Sequence, residues 1–422
     1  MGWNSYDTYG DSVTEAEVLA NAAYMRDHLK SHGWQFIVVD YRWYDPGANS
    51  GDLKKRARAP LTMDRYGRLT PAVNRFPSAA DGKGFTTLAA DIHSMGLKFG
   101  IHVMRGIPRI AVKANLPIEG SPYHTLDAAD LPSICGWNPD MFGVDGASAA
   151  GQAYYDSLLR LYASWGVDFI KVDDLSQPYS TMEIEDIRRA IDKCGRPIVL
   201  SLSPGETPIA QADHVKMHAN MWRISGDFWD NWSSLNRNFD LLYRWQGVGG
   251  PGHWPDADMI PIGHISIRSV GKERDSKFTP DERKTLMSLW CLAPSPLMLG
   301  MSMPQLSDDD LALFTNDEVL AIDQDSLGQP AKRISQSDGI EVWMRTLADG
   351  SEAIGIFNRT ADQRSFLIDF RELGISGAHR FRDVWRNQDL GTFSDSLPVY
   401  VAGHGSQLMR IYDATKAENG AG

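Results

Sequence analysis

Asp173 and Asp174 stand side by side where a run of β-forming residues stops, in the stretch from Gly166 to Leu175. Val167, Phe169, Ile170 and Val172 give that stretch the character of a buried parallel strand. A carboxylate at such a strand end either caps the following helix or faces a ligand, and the two acids can divide those roles either way. The same placement recurs along the chain: Asp40 closes Phe36–Asp40, His102 and Arg105 sit at and beyond the end of Lys98–Val103, Arg223 and Asp227 lie at the end of Ala219–Ile224 and just past it, and Asp256 and Asp258 lie near Trp254. Carboxylates with basic neighbours suit cleavage of a glycosidic bond, in which one acid attacks or activates water and the other protonates the leaving oxygen. Acids at strand ends also bind cations. The sequence shows no His/Cys cluster or HExxH, no Gly-x-Ser-x-Gly elbow and no phosphate-cradling glycine loop, so neither a metal nor a cofactor is expected.

The elements that must carry these residues alternate. The apolar runs predict strands at Gly2–Tyr6, Phe36–Asp40, Lys98–Val103, the Gly166–Leu175 stretch, Pro197–Leu202, Ala219–Ile224, Trp254–Ile260 and Pro296–Leu299. Helices are predicted from Thr14 to His32, with Glu17 in capping-box position, and over Gly84–Met95, Gln152–Trp165 and Pro280–Leu292. This is the pattern of an α/β fold, a (β/α)8 TIM barrel over residues 1–323, with function on the loops at the strands' carboxyl ends. From 324 to 415 the pattern changes to short strands without helices between them, at Ile340–Met344, Ala353–Phe357, Arg364–Ile368 and Gln407–Tyr412. That predicts a C-terminal antiparallel β-sandwich, followed by a flexible tail at 416–422.

Composition narrows the partners. The formal net charge of −12 argues against nucleic acid, which needs a basic footprint. No apolar run is long enough to suggest a membrane span. Cys135, Cys194 and Cys291 are far apart and permit at most one disulfide. With no signal-peptide pattern at the N-terminus, the chain is either cytoplasmic or a secreted or periplasmic protein whose signal has been removed. The 13 tryptophans suit either sugar stacking or core packing.

Four strings occur in order at suitable spacings: Gly2-Trp3-Asn4-Ser5, Lys171-Val172-Asp173-Asp174, Trp222-Arg223-Ile224-Ser225-Gly226-Asp227 and Trp254-Pro255-Asp256-Ala257-Asp258-Met259. Together they resemble the α-galactosidases and α-N-acetylgalactosaminidases of glycoside hydrolase family 27, and the likeness continues through Asn316-Asp317-Glu318-Val319 and Ile322-Asp323-Gln324-Asp325. The resemblance implies a retaining exo-glycoside hydrolase that removes terminal α-D-galactosyl residues from a carbohydrate substrate, with Asp173 as nucleophile and Asp227 as acid/base. Lys171, two residues before Asp173, points to the same strand face and supplies positive charge. The proton on Asp227 is expected to be kept by apolar neighbours such as Trp222 or Trp229. Asp174 is expected to cap or support. The implied sugar contacts are Trp3 as a stacking floor with core packing as its alternative, Asp40, Tyr41, His102, Lys171, Ser203, Arg223 toward the sugar's 2-position, and Asp256 in a supporting polar role. Arg105, Trp137 and Asn138 are further pocket candidates.

Two departures bear on specificity. The galactosidases usually carry paired acids after the second strand, holding the 4- and 6-hydroxyls, whereas here the string is Asp40-Tyr41-Arg42-Trp43. β-L-Arabinopyranose has galactose's ring stereochemistry without the exocyclic carbon and becomes an alternative substrate. Leu202-Ser203-Pro204-Gly205 replaces the Cys-Glu-Trp that often follows the fifth strand, resembling the roomier pocket of the N-acetylgalactosaminidases. Leu175 stands where a cysteine often follows the nucleophile motif, so that disulfide is not expected. A non-catalytic carbohydrate-binding protein is the alternative from another class, disfavoured because both acids stand in their motifs.

Overall fold

The computed structural model describes residues 1–49 and 60–414, and the tail at 416–422 lies outside them. Eight strands form one curled sheet: β1 (Gly2–Asn4), β2 (Phe36–Val39), β3 (Lys98–Met104), β4 (Phe169–Asp173), β5 (Val199–Leu202), β6 (Met221–Arg223), β7 (Trp254–Asp256) and β8 (Met298–Leu299). Their order is β7-β6-β5-β4-β3-β2-β1-β8. The ladders from β6 round to β8 are all parallel. Beyond the two-residue β8, Ile260 continues the ring: its amide donates to the Met298 carbonyl at 2.7 Å, and its carbonyl accepts from the Gly300 amide at 3.1 Å. With the intervening helices this is the expected TIM barrel.

Short apolar runs become strands because both faces are covered. Ile37, Val38 and Val39 of β2 have no exposed surface, and burying each side chain contributes roughly 1.5–3 kcal/mol. The helix predicted over 14–32 is regular only across Glu15–Tyr24, where the Thr14/Glu17 capping box forms as expected. It then loosens into a π turn at Met25–Leu29 and a tight turn at Lys30–His32, ending at Gly33 with φ 93°. Pro280–Leu292 is helical as predicted, with a second capping box between Thr279 and Glu282. A three-stranded antiparallel insert not anticipated from the sequence, made of Ile107–Pro108, Ala129–Ile134 and Met141–Val144, lies between β3 and β4.

The described chain divides into two compact units: residues 1–227, 259–276 and 298–306, and residues 228–258, 277–297 and 307–422. In the second, Lys332–Ser337 (β9), Ile340–Thr346 (β10), Glu352–Asn358 (β11), His379–Asp383 (β13), Gln388–Phe393 (β14) and Ser406–Asp413 (β16) form a sheet in the order β9-β10-β11-β16-β13-β14. Arg364–Asp369 (β12) pairs with Ser396–Val401 (β15). All these ladders are antiparallel. Ile354, Ile356, Phe381 and Ile411 of the larger sheet share one apolar core with Ile368, Leu397 and Val401 of the pair, which makes the module a sandwich. Cys135, Cys194 and Cys291 are all free thiols. Among the described residues no helix is long and apolar enough to cross a membrane.

Candidate active site

Parallel register determines which side chains meet at the carboxyl ends of β2 to β6. His102 on β3 is level with Lys171 on β4, and Lys171 with Ser201 on β5; residues two further along each strand are again on the same face. Asp173 and Ser203 are therefore level across the β4–β5 edge. The Ser203 amide continues the ladder to the Val172 carbonyl at 3.0 Å, and its hydroxyl donates to Oδ1 of Asp173. His102 Nε2 lies 2.9 Å from Oδ2 of the same carboxylate. Burial disfavours the charged form of Asp173, but His102, Lys171 and the Ser203 hydroxyl outweigh it and hold the carboxyl well below the usual carboxylate range. Asp173 is an anion with both oxygens engaged.

Asp40, 1 % exposed, is built the same way. Its Oδ2 accepts from Asn4 Nδ2 at 2.6 Å and from Lys171 Nζ at 3.0 Å, and its Oδ1 accepts the Tyr41 amide at 2.8 Å. Burial again opposes ionisation and is overcome by Lys171 and His102, so the carboxyl stays below its ordinary range. A carboxylate has about four acceptor positions, and these contacts leave one for a hydroxyl.

Tyr41 is 3 % exposed. Its ring stands edge-on to His102 with centroids 5.4 Å apart, and 5.8 Å from Trp137. Burial first, then nearby Tyr44, Asp140 and Asp173, push the Tyr41 hydroxyl far up, so it is neutral. Trp137, 39 % exposed, offers an open aromatic surface beside it.

Asp227 differs from Asp173. Its side chain is 57 % exposed and Oδ1 lies 3.3 Å from Nη2 of the buried Arg223, which also donates to the Ser225 carbonyl at 3.3 Å. Trp222, expected like Trp229 as an apolar neighbour of this carboxyl, is wholly buried.

Other expectations resolve differently. Trp3 has no exposed surface; its indole N–H donates to the Met301 carbonyl at 2.7 Å and its ring packs edge-on against Tyr9. It is a barrel-core residue, which replaces the stacking floor by the packing alternative. Ser203, expected as a small residue of a roomier pocket, also turns its hydroxyl to Asp173. Asp174 leaves the strand at φ 68° and pairs through Oδ2 with Arg105 Nη2 at 2.6 Å, while Arg105 Nη1 reaches Glu183 at 2.7 Å. Arg105 thus braces the turn after the strand. Asn138, 2 % exposed, accepts the Asp140 amide at 3.3 Å, a local turn contact. Within the second unit, Asp256 accepts the Asp258 amide at 2.9 Å, and Asp258 accepts the Phe228 amide at 2.7 Å, both bonds that shape backbone turns.

One residue was missed. The Tyr6 hydroxyl is raised well above its ordinary range by burial first, and then by the fields of Asp227, Asp40 and Asp173, with Lys171 opposing. The Lys171 ammonium lies 5.8 Å from the Tyr6 ring centroid. Tyr6 is therefore a neutral donor set among the charged groups, and its signal was its place directly after Gly2-Trp3-Asn4-Ser5.

A (β/α)8 barrel with an engaged anionic aspartate, a second solvent-facing aspartate and an aromatic wall has the layout of a glycoside hydrolase. Residues 146–325 match the family model described as alpha galactosidase A, and residues 337–411 match that of the alpha galactosidase C-terminal beta sandwich domain. An alpha-galactosidase from Oryza sativa subsp. japonica is 26 % identical over 415 residues, covering 97 % of this chain and 83 % of that protein. The crystal structure of a GH27 β-L-arabinopyranosidase from Geobacillus stearothermophilus is similar with a TM-score of 0.96 at 48 % identity, over 99 % of this chain and 97 % of that one. That of a putative α-N-acetylgalactosaminidase from Bacillus halodurans gives 0.88 at 44 % identity, over 98 % and 96 %. This chain belongs to glycoside hydrolase family 27. It is a glycosidase acting on carbohydrate.

Proposed function

We propose that the chain is a retaining exo-hydrolase of terminal β-L-arabinopyranosides. The observation that carries this reading is Tyr41. A buried, neutral phenol stands next to Asp40, at the position where the family pattern places a second carboxylate for the exocyclic hydroxyl. A hexose would bring a 6-hydroxyl to a wall without an anionic acceptor, and an unmatched polar group is costly to bury. A pentopyranose brings only a ring methylene, which an aromatic face accommodates. Asp40 retains one acceptor position for a ring hydroxyl. The 48 % identity to the β-L-arabinopyranosidase supports the same choice over the α-D-galactosyl substrate that the motifs first suggest.

In the first step Asp173 attacks the anomeric carbon and forms a glycosyl ester, while the bond to the leaving oxygen breaks and Asp227 gives that oxygen its proton. In the second, Asp227 removes a proton from water, whose oxygen attacks the anomeric carbon and frees Asp173. The ionised state of Asp173 suits it to attack, and the exposure of Asp227 suits it to proton exchange with leaving group and water. Arg223 positions Asp227, and Trp137 supplies the stacking face.

The test is a panel of nitrophenyl glycosides: β-L-arabinopyranoside, α-D-galactopyranoside and α-N-acetylgalactosaminide. The arabinopyranoside should give the highest kcat/KM; preference for either hexoside would overturn the substrate and leave the nucleophile assignment standing.

A further inference from the structure

The helices following β4 and β5, Thr181–Lys193 and Ala212–His218, bring together three potential ligands that the hydrolytic site does not use. Glu185 comes from the first helix; His214 and His218 are one turn apart on the second and so share a face. One ligand atom from each lies within 4.8 Å of the others.

Existing hydrogen bonds already aim these atoms. His218 Nδ1 lies 2.8 Å from the His214 carbonyl oxygen. A carbonyl only accepts, so that nitrogen carries a proton, and in the neutral ring Nε2 keeps its lone pair. His214 Nδ1 lies 2.6 Å from the Tyr179 hydroxyl, leaving Nε2 to face Oε1 of Glu185 at 3.3 Å. Arg189 occupies the other carboxylate oxygen, Oε2, at 3.2 Å. The two imidazoles stack with centroids 4.3 Å apart. His214 and Glu185 are 19 % and 36 % exposed, open enough for an ion to enter and keep a water ligand.

We propose that Glu185, His214 and His218 form a site for one divalent transition-metal ion of the Zn2+ type, bound through Oε1 and the two Nε2 atoms, with solvent completing the coordination. Two imidazoles and one carboxylate suit zinc, whereas Ca2+ and Mg2+ need more oxygen ligands than the cluster offers. Bonds of about 2.0–2.1 Å in a tetrahedron place ligand atoms roughly 3.4 Å apart, so the cluster must contract by about an ångström, within reach of half-exposed side chains. On binding, the metal takes the place of the proton on His214 Nε2. That proton moves to Nδ1, which then donates to the Tyr179 oxygen as the hydroxyl hydrogen turns away, so the ring stays neutral. The ion would link the segment that follows Asp173 to the one that follows Ser203, tying together the two loops that support the nucleophile.

Chelator-stripped protein titrated calorimetrically with Zn2+ alone should bind one equivalent. His214→Ala and His218→Ala should each lose more affinity than the roughly 10–100-fold that removal of an outer partner costs, and Tyr179→Phe should fall within that range. Zn2+ should raise the thermal midpoint of the wild type and not that of the His214→Ala/His218→Ala double variant, whose circular dichroism reports whether it is folded. Should the double variant fail to fold, Glu185→Gln takes its place in both measurements. No one-equivalent binding by the wild type, or binding that survives in the folded variant, overturns the site.

Discussion

Lys171 Nζ lies 3.0 Å from Oδ2 of Asp40, in an ion pair whose side chains are 14 % and 2 % exposed. The pair joins the residue that follows β2 to the strand that ends in Asp173, so one cation serves both carboxylates. Lys171→Met leaves Asp40 buried without its partner and should cost about 3–5 kcal/mol at neutral pH. Because the folded carboxyl of Asp40 lies below its ordinary value, its contribution is present above about pH 4 and is lost as pH falls through the folded value. The deficit of the variant should therefore persist down to about pH 4 and shrink only as pH falls below it, which urea unfolding above and below about pH 4 measures.

Ser203→Ala removes the hydroxyl that donates to Asp173. A donor to the charged form keeps that carboxylate ionised to lower pH, so its loss raises the pKa. The acid limb of kcat/KM should move to higher pH by about one unit, corresponding to about 1.4 kcal/mol. An unmoved limb would mean that His102 and Lys171 alone set the charge of Asp173.

Tyr41→Asp restores a carboxylate beside Asp40. The ratio of α-galactoside to β-L-arabinopyranoside kcat/KM should rise by about tenfold or more, measured on the same nitrophenyl substrates. A ratio that stays constant in a folded variant counts against Tyr41 as the residue that rejects the exocyclic carbon.

Trp137→Ala removes the exposed ring 5.8 Å from Tyr41. The KM should rise about fivefold, corresponding to about 1 kcal/mol of lost aromatic contact, with kcat nearly unchanged. A fall in kcat at constant KM would place the ring's contribution in the transition state instead.

Asp173→Ala should lower turnover by several orders of magnitude, and azide should restore part of it by entering the vacated space and forming a glycosyl azide. Near-normal activity without azide would defeat the assignment of Asp173.

The apolar runs made β2 to β5 legible because a strand covered on both faces must be hydrophobic throughout, and capping chemistry marked Thr14 in advance. The insert after β3 was not legible: Asp130, Leu131, Pro132, Ser133 and Ile134 show no alternation and are largely exposed. In the sandwich, Gln388–Phe393 was missed for the same reason. Trp3 shows a different limit. A tryptophan in a motif carries no label for the face it takes, and every residue of β1 is buried. Asp173 and Asp40 could be read from strand ends, but the partner at Ser203 follows from register across two strands, and the meeting of Glu185 with His214 from the packing of two helices. His214 and His218, four apart, were the one local trace of that cluster.

One oxygen of Asp173 accepts from the Ser203 hydroxyl, and the other lies 2.9 Å from His102 Nε2. Both contacts restrict rotation of the side chain. In the proposed reaction, folding of the barrel would orient the Asp173 carboxylate before any sugar arrives, so that its orientation is not a step each turnover must repeat.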